Sequence, residues 1–182
     1  MKNDKLPKRL ERKTIYESEW INLFVDKVKM PTGRIIEKYH QLDYPKEGAV
    51  ILLLNEFEEI LLIESLRYTL NKVDLELPAG GVEKDEDLLA GAKRELLEET
   101  GYNVEDLKKV YTFRPSQGMS NQIAHVFLGK VNKNDSSLKI DEDEVGSFKW
   151  FSQEELKKMV KDNQLLDSFT IIPLLLYWGE FI

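Results

Sequence analysis

The chain has 182 residues, 42% of them hydrophobic, and it carries a formal net charge of −7 at pH 7 with no cysteine. This length suits one well-packed domain with a short extension and is too short for two large domains. The acidic charge disfavours nucleic acid and acidic lipid as partners, and the lack of cysteine excludes disulfides, thiolate metal sites and thiol nucleophiles. Small ligands are the expected partners.

The sequence predicts neither secretion nor membrane insertion. Met1–Lys5 lacks the apolar core of a signal peptide,. The most apolar run, Phe169–Trp178, is about half as long as a membrane-spanning helix,. The absence of cysteine fits a reducing compartment. We therefore expect a cytoplasmic protein with no membrane partner.

The first predicted element is a β-hairpin. Apolar and polar residues alternate over Ile21–Met30 and Arg34–His40, as they do in half-buried strands,. Between them, Pro31-Thr32-Gly33 is typical of a tight turn,. We expect this hairpin to form an N-terminal extension over residues 1–45, ahead of a main domain over residues 46–182.

The rest of the chain alternates between strand and helix patterns. Strands are predicted at Ala49–Leu54, Ile60–Ser65, Leu75–Pro78, Lys109–Arg114, Gln122–Val131 and Gly146–Phe151,. A capping box at Ser152 opens one helix, and Phe169–Trp178 predicts a final buried helix,. This mixed order favours an α/β protein with a sheet packed between helices.

A helix is also predicted between the strands Leu75–Pro78 and Lys109–Arg114. Asp85, Glu86 and Asp87 follow the flexible pair Gly80-Gly81 and place negative charge where a helix dipole favours it,. Gly101 can take the left-handed conformation that closes a helix. The segment therefore predicts a helix of about four turns, from near Glu86 to Thr100.

This helix gathers three carboxylates on one side. At about 100° per residue, Glu95, Glu98 and Glu99 fall within an arc of roughly 100°. They repel one another near the negative end of the helix dipole, and a divalent cation would offset that repulsion. Hard carboxylate oxygens without cysteine or a nearby histidine favour Mg²⁺ or Mn²⁺ over zinc. The alternative is a solvated acidic face, with Arg94 simply paired to Glu98.

Position by position, Gly80, Glu86 and the run Arg94–Tyr102 resemble the Nudix box. The resemblance implies a hydrolase that cleaves a nucleoside diphosphate linked to another moiety, built as an α/β/α sandwich over about residues 46–182. It further implies that Glu95, Glu98 and Glu99 bind the metal ions and that Arg94 orients these carboxylates.

Two further stretches resemble the ADP-ribose and nucleoside diphosphate sugar pyrophosphatase branch of this family. Leu62–Tyr68 is similar to a branch pattern that ends in a phosphate-binding arginine, here Arg67, although Ser65 and Leu66 depart from it. Glu76–Gly81 is similar to the segment that enters the box. This second likeness implies that Glu76 contacts the substrate and that the backbone carbonyl of Ala79 is a metal ligand.

Other candidate substrate contacts lie outside the box. Trp20 precedes Pro31 by eleven residues, as does a base-stacking tryptophan in some relatives,. Packing or dimer contact is the alternative for Trp20, and His40 is equally typical of strand packing and of ligand contact.

The predicted substrate loop follows the predicted strand Lys109–Arg114. Its candidate contacts are Ser116, Gln117, Gly118 and Met119. The branch often carries a proline sixteen residues after the last box glycine, whereas this chain has Gln117 there and Pro115 two residues earlier. A preference for nucleotide sugars broader than ADP-ribose therefore stays open.

The resemblance implies that ADP-ribose, or a related nucleotide sugar, is split into a nucleoside monophosphate and a sugar phosphate. The predicted general base is Glu142, with Glu144 as the second candidate, although four adjacent acids on a loop are also typical of a solvated tip. The hairpin resembles an extension that relatives exchange across a homodimer. Two alternatives remain: a Nudix hydrolase of dinucleoside polyphosphates or nucleoside triphosphates, and a non-catalytic ADP-ribose sensor.

Overall fold

The computed structural model describes residues 5–134 and 145–182, which contain ten β-strands and three α-helices. The strands are β1 Lys8–Tyr16, β2 Asn22–Lys29, β3 Ile35–Asp43, β4 Glu47–Leu54, β5 Ile60–Arg67, β6 Lys72–Glu76, β7 Ala79–Val82, β8 Lys108–Phe113, β9 Ala124–Lys130 and β10 Val145–Phe151. The helices are α1 Leu88–Thr100, α2 Gln153–Lys161 and α3 Ser168–Trp178.

The chain divides into two compact units. The N-terminal unit extends to Lys46 and includes the loop Ser116–Gln122. The main unit comprises Glu47–Pro115 and Ile123–Ile182. The loop therefore groups with the N-terminal strands, although in sequence it lies between two strands of the main unit.

The N-terminal unit is an antiparallel sheet in the order β1-β2-β3. Strands β2 and β3 form the predicted hairpin, and Gly33 closes its turn with a φ of 87°,. Strand β1 is an addition that the sequence does not predict. All nine of its residues are exposed, so the strand has no buried face and its sequence lacks the alternation that burial imposes.

A charged cluster ties the three strands together. Arg12 on β1 donates from Nε and Nη2 to the two carboxylate oxygens of Asp26 on β2, each at 2.8 Å. Its Nη2 also donates to Oε1 of Gln41 on β3 at 2.7 Å. The guanidinium lies 4.1 Å from the centre of the Phe24 ring. Asp26 is only 4% exposed, and the hydrogen bond from Arg12 holds the pKa of Asp26 below its usual range.

The main unit contains a mixed sheet in the order β10-β5-β4-β9-β8, with β6 paired to β5 and β7 paired to β4. Strands β4 and β9 are parallel, and the other pairs are antiparallel. Alternate residues of β4 enter two separate cores. Ala49 packs in the core that contains Leu96 of α1, and Val50 packs in the core that contains Leu156 of α2 and Leu174 of α3. The predicted α/β/α sandwich is therefore confirmed.

Several element boundaries differ from those predicted. Helix α1 begins at Leu88 rather than near Glu86, because the Asp87 side chain caps it by accepting from the backbone N–H groups of Leu89 and Ala90,. The predicted strand Leu75–Pro78 is divided between the end of β6 and the residues before β7. The final helix buries one face only, since Leu175 is exposed.

The glycine pair ahead of the helix also differs from expectation. Gly80 and Gly81 are not a flexible lead into α1, because they are part of β7 and pair with Ala49 and Gly48. Within the described part of the chain, none of the three helices has the length and apolar character that a membrane crossing requires.

Substitution of Asp26 by Asn is expected to lower the free energy of unfolding at pH 7 by about 2 kcal/mol, the scale of a hydrogen bond to a charged group. Because pairing lowers the pKa of Asp26, its contribution is complete above the ordinary carboxyl pKa of about 4 and is lost as pH falls toward the lowered value. Urea unfolding of wild type and Asp26→Asn at pH 7 and about pH 3 measures this difference.

Glu37→Gln is the matched control, since Glu37 is mostly exposed and pairs with Lys27 at 3.1 Å. Such a surface pair contributes less than about 1 kcal/mol. A wild-type advantage over Asp26→Asn that is the same at both pH values would contradict the assigned role of the ion pair.

Candidate active site

Arg94 is the centre of the charged cluster on α1. Its Nε and Nη2 donate to the two oxygens of Glu86 at 3.0 Å each, and its Nη1 donates to Glu95 at 2.7 Å and to Glu98 at 3.1 Å. A second bond from Nη2 reaches the carbonyl of Gly81 at 3.0 Å. These five bonds match the five N–H groups of a guanidinium. The carboxylates of Glu86 and Glu95 raise the pKa of Arg94 far above its usual value, Glu86 most of all.

Glu86 has a different role from the one that the sequence suggested. The sequence predicts that it opens the helix, whereas its carboxylate lies ahead of the helix and accepts from the Nε and Nη2 edge of the Arg94 guanidinium. One of its oxygens also accepts from the backbone N–H of Glu83 at 3.0 Å. Glu86 therefore joins the turn before α1 to the carboxylate cluster on the helix.

Glu95 lies directly against strand β7. A Cβ atom added to Gly80 would be 2.0 Å from Oε2 of Glu95 and 2.1 Å from its Cδ. Any side chain at this position would therefore displace the carboxylate, so glycine is required for close approach rather than for an unusual backbone conformation.

Glu99 and Ala79 form the inner end of the site. The backbone N–H of Ala79 donates to Oε2 of Glu99 at 2.9 Å, and Glu99 is only 7% exposed. The Pro78 carbonyl accepts from Ile51 at 2.8 Å, so the adjacent Val50–Ala79 pair is a non-hydrogen-bonded pair of the ladder,. Both backbone polar groups of Ala79 thus point away from β4, and its carbonyl lies on the side from which its N–H reaches Glu99.

The donor chemistry of this cluster suits a hard divalent cation. Glu95, Glu98 and Glu99 offer carboxylate oxygens, Ala79 offers a carbonyl oxygen, and Gly80 leaves the space beside Glu95 free of a side chain,. Over residues 5–134 and 145–182, no three acidic or histidine side chains converge closely enough to hold a metal ion. Glu95 and Glu98 turn toward Arg94, whereas Glu99 turns toward Ala79. Reorientation of these side chains would be needed to bring them onto one ion.

Arg67 and Glu76, both predicted to contact substrate, are paired with each other. Arg67 donates from Nε to Oε1 of Glu76 at 2.8 Å and from Nη2 to Oε2. Glu76 is buried, whereas about half of the Arg67 side chain is exposed. The hydrogen bond that Arg67 donates to Glu76 raises the pKa of Arg67, and the charges of Asp167 and Glu99 raise it further. Arg67 is therefore held as a cation in the electrostatic field of the carboxylate cluster.

Trp20 and His40 both lie in the N-terminal unit. Trp20 is 66% exposed, and the ammonium group of Lys46 lies 4.4 Å from its ring centre,. His40 is an exposed residue of β3 opposite Val25 on β2. Neither side chain is buried within this unit.

The predicted substrate loop is fastened to β3. The Tyr39 hydroxyl donates to the carbonyl of Gly118 at 2.6 Å, and the N–H of Leu42 donates to the carbonyl of Met119 at 2.8 Å. Ser116 and Gln117 are exposed at the start of the loop. The predicted base candidates, Glu142 and Glu144, lie outside the described residues.

Asn121 is a residue of this loop that the sequence does not single out. Its Oδ1 accepts from the N–H of Tyr44 at 2.7 Å, and its Nδ2 donates to Asp43 at 2.8 Å. These bonds join residues more than 70 positions apart in sequence. No local pattern around Asn121 predicts such distant partners.

Comparison with known families follows the same division of the chain. The NUDIX domain family matches residues 45–170, and the nucleoside diphosphate sugar hydrolase N-terminal domain family matches residues 7–42. The chain is also similar in fold to a solved ADP compounds hydrolase, with a TM-score of 0.82, 17% identity and coverage of 98% of this chain and 96% of that one.

Two relatives are similar over nearly the whole chain. An ADP-ribose pyrophosphatase of Bacillus subtilis is 32% identical over an alignment of 169 residues, and the match covers 90% of this chain and 90% of that one. A methanol dehydrogenase activator of Bacillus methanolicus is 33% identical over 166 residues, which are 91% of this chain and 89% of that one. The chain therefore belongs to the Nudix hydrolases, in the branch of the ADP-ribose and nucleoside diphosphate sugar pyrophosphatases.

Proposed function

We propose that this Nudix hydrolase splits ADP-ribose or a related nucleoside diphosphate sugar into a nucleoside monophosphate and a sugar phosphate, with Mg²⁺ as its metal and Mn²⁺ as a substitute. One observation carries the proposal. The carboxylates of Glu86, Glu95 and Glu98 surround a single guanidinium, that of Glu99 bonds the Ala79 amide, and the adjoining strand has no side chain at Gly80. This excess of negative charge suits a cation that in turn binds a diphosphate.

The substrate class is supported by two likenesses. The match of residues 7–42 to a nucleoside diphosphate sugar hydrolase N-terminal domain favours a nucleotide sugar. The similarity to an ADP-ribose pyrophosphatase over 90% of the chain favours ADP-ribose within that class.

Nudix hydrolases generally use a divalent metal. Here Glu95, Glu98, Glu99 and the Ala79 carbonyl would hold it. When bound, a divalent cation polarises the diphosphate and lowers the pKa of the attacking water. Arg94 bonds Glu95 and Glu98 through its planar fork, which keeps both carboxylates at this end of the helix, from where they would turn to the ion,. The family thus accounts for a cluster that would otherwise repel itself.

Arg67 supplies the second positive charge of the site. Glu76 accepts from its Nε–H and from one N–H of Nη2, which fixes the plane of the guanidinium. The remaining N–H groups are proposed to contact a phosphate that does not bind the metal directly, and to neutralise the charge that develops as the bond breaks. Glu76 thus acts on the substrate through Arg67.

The other proposed roles rest on the resemblance. Trp20 and His40 are proposed to contact the base, and Ser116, Gln117, Gly118 and Met119 the rest of the nucleotide sugar. Glu142 is the proposed general base, with Glu144 second, and assays of each single Gln variant would separate them. A homodimer through the N-terminal sheet is supported by the exposed Leu10, Ile15 and Tyr16 of β1, and light scattering would measure it.

A panel of substrates tests the proposed function. ADP-ribose, several nucleotide sugars, dinucleoside polyphosphates and nucleoside triphosphates are incubated with the protein and Mg²⁺, and release of the monophosphate is measured. We expect the highest kcat/KM among the first two groups. A preference for dinucleoside polyphosphates or triphosphates would replace the proposal with the alternative hydrolase.

Glu99→Gln is expected to lower kcat by about three orders of magnitude, the scale of a lost metal contribution. The amide oxygen of Gln can still accept from Ala79, so the fold and its melting temperature should be retained. Steady-state kinetics at saturating Mg²⁺ measure the effect, with Glu154→Gln on the exposed face of α2 as control. Wild-type turnover in Glu99→Gln would show that Glu99 does not hold the metal.

Gly80→Ala is expected to lower kcat/KM by about a hundredfold, because a displaced catalytic group has effects of that order. The added Cβ meets the end of the flexible Glu95 side chain, which can move, so the protein should stay folded. Gly146→Ala is the matched control in another strand, since its Cβ would be no closer than 3.7 Å to any neighbour. Equal activity in both variants would mean that the position of Glu95 is unimportant.

Arg67→Ala is expected to lower kcat/KM, with a loss of transition-state stabilisation of roughly 2 to 4 kcal/mol, the scale of one charged donor. The substitution also leaves Glu76 buried without its partner, so kinetics must be measured well below the melting temperature of the variant. Lys72→Ala removes a positive charge directly opposite Arg67 on β6 and serves as control. If the two variants lose the same activity, general charge rather than a contact from Arg67 is responsible.

A further inference from the structure

A buried hydroxyl on α3 contacts the backbone that carries the site. Thr170 is completely buried in the first turn of α3. The backbone N–H of Leu77 donates to its Oγ1 at 3.0 Å, although the two residues are 93 positions apart. The hydroxyl of Thr170 in turn donates to Oδ2 of Asp167 at 3.0 Å. The Thr170 hydroxyl therefore accepts one hydrogen bond and donates another.

Helix capping alone does not account for this arrangement. Asp167 is the N-cap of α3 and already accepts from the backbone N–H of Thr170 at 2.8 Å,. That bond is local and would form with any residue at position 170 except proline. The bond from Leu77 needs a side-chain acceptor at this position, so the hydroxyl has a second role outside the helix.

Leu77 lies within the segment Glu76–Ala79, which supplies two parts of the site: the partner of Arg67 and the amide that bonds Glu99. On one side of Leu77, the carboxylate of Glu76 holds Arg67. On the other side, the N–H of Ala79 donates to Glu99. Pro78, between Leu77 and Ala79, has no N–H to donate. The Leu77 amide is therefore the nearest backbone donor that can bond this segment to α3.

Three bonds therefore hold three consecutive residues. Thr170 holds the Leu77 amide, Ile51 of β4 holds the Pro78 carbonyl at 2.8 Å, and Glu99 holds the Ala79 amide. Leu77 is itself buried, so its amide has no access to water if the hydroxyl is removed. A buried amide without an acceptor is costly, and the segment would shift to find one.

We propose that Thr170 is a positioning residue for the metal and phosphate sites, acting through the Leu77 amide on Glu76 and Ala79. The inference rests on the proposed metal site of this Nudix hydrolase. It adds a residue of the C-terminal helix, far in sequence from the carboxylate helix, to the groups that determine the site geometry. Supporting contacts of this kind typically change metal affinity or activity by about 10-fold to 100-fold.

The test compares substitutions at position 170 that differ in the hydroxyl. Thr170→Val keeps the shape and removes the acceptor, Thr170→Ala removes both, and Thr170→Ser keeps the hydroxyl. Leu174→Ala is the matched control, because it removes a completely buried side chain from the same helix and leaves Thr170 unchanged,. If Thr170→Val does not fold, Thr170→Ala takes its place.

Two measurements are made on each variant. Titration with Mn²⁺, followed by electron paramagnetic resonance of the free ion, gives the metal dissociation constant without any substrate. Amide hydrogen exchange at Leu77 and Ala79 reports whether the segment is held. We expect Thr170→Val to raise the Mn²⁺ dissociation constant about tenfold and to speed exchange at both amides. Thr170→Ser should resemble wild type, and Leu174→Ala should lower the melting temperature with unchanged Mn²⁺ affinity.

The outcomes separate this inference from the proposed function. If Thr170→Val binds Mn²⁺ as wild type does, or if Thr170→Ser is as impaired as Thr170→Val, the positioning role is wrong. If wild type itself binds no Mn²⁺, the proposed metal site is wrong and the inference that depends on it is overturned as well. If wild type binds Mn²⁺ but does not hydrolyse ADP-ribose, only the substrate assignment is affected.

Discussion

The five N–H groups of Arg94 are the constraint on which the site depends. Without them, Glu86, Glu95 and Glu98 would repel one another, and Glu98 lies in the last turn of α1, where the helix dipole is already negative,. The same guanidinium bonds the Gly81 carbonyl, so it holds β7 and α1 together as well as the carboxylates. Lysine could not replace it, because a single ammonium group lacks the planar fork that reaches both oxygens of Glu86 and two other side chains.

This constraint also determines the backbone beside the helix. Arg94 bonds β7 to α1 at Gly81, and next to this bond the strand lies so close to Glu95 that a Cβ atom on Gly80 would meet its carboxylate. The adjacent Ala79 amide bonds Glu99, and the segment before it is held from the opposite face of the sheet by Thr170. The site is therefore supported from both helix layers of the sandwich, although all of its carboxylates come from one of them.

The sequence predicts best what depends on local patterns. The apolar run of β4, and the acidic start and closing glycine of α1, place both elements to within a few residues of where they occur. Strand β1 is missed because its residues are held by pairing and by the Arg12–Asp26 bond rather than by burial. The pairing of Arg67 with Glu76 and the contact of Thr170 with Leu77 are equally invisible, since each joins residues whose separation in sequence follows from the sheet topology and from no local spacing.

The departure at Gln117 shows how a loop can be ordered by other means. A proline at that position would restrict the backbone through its ring. In this chain, the Tyr39 hydroxyl holds Gly118, the N–H of Leu42 holds Met119, and Asn121 bridges to Tyr44. These bonds tie the loop to β3, so its conformation depends on the N-terminal sheet rather than on its own composition. A change in β3 would therefore alter the loop without any substitution in the loop itself.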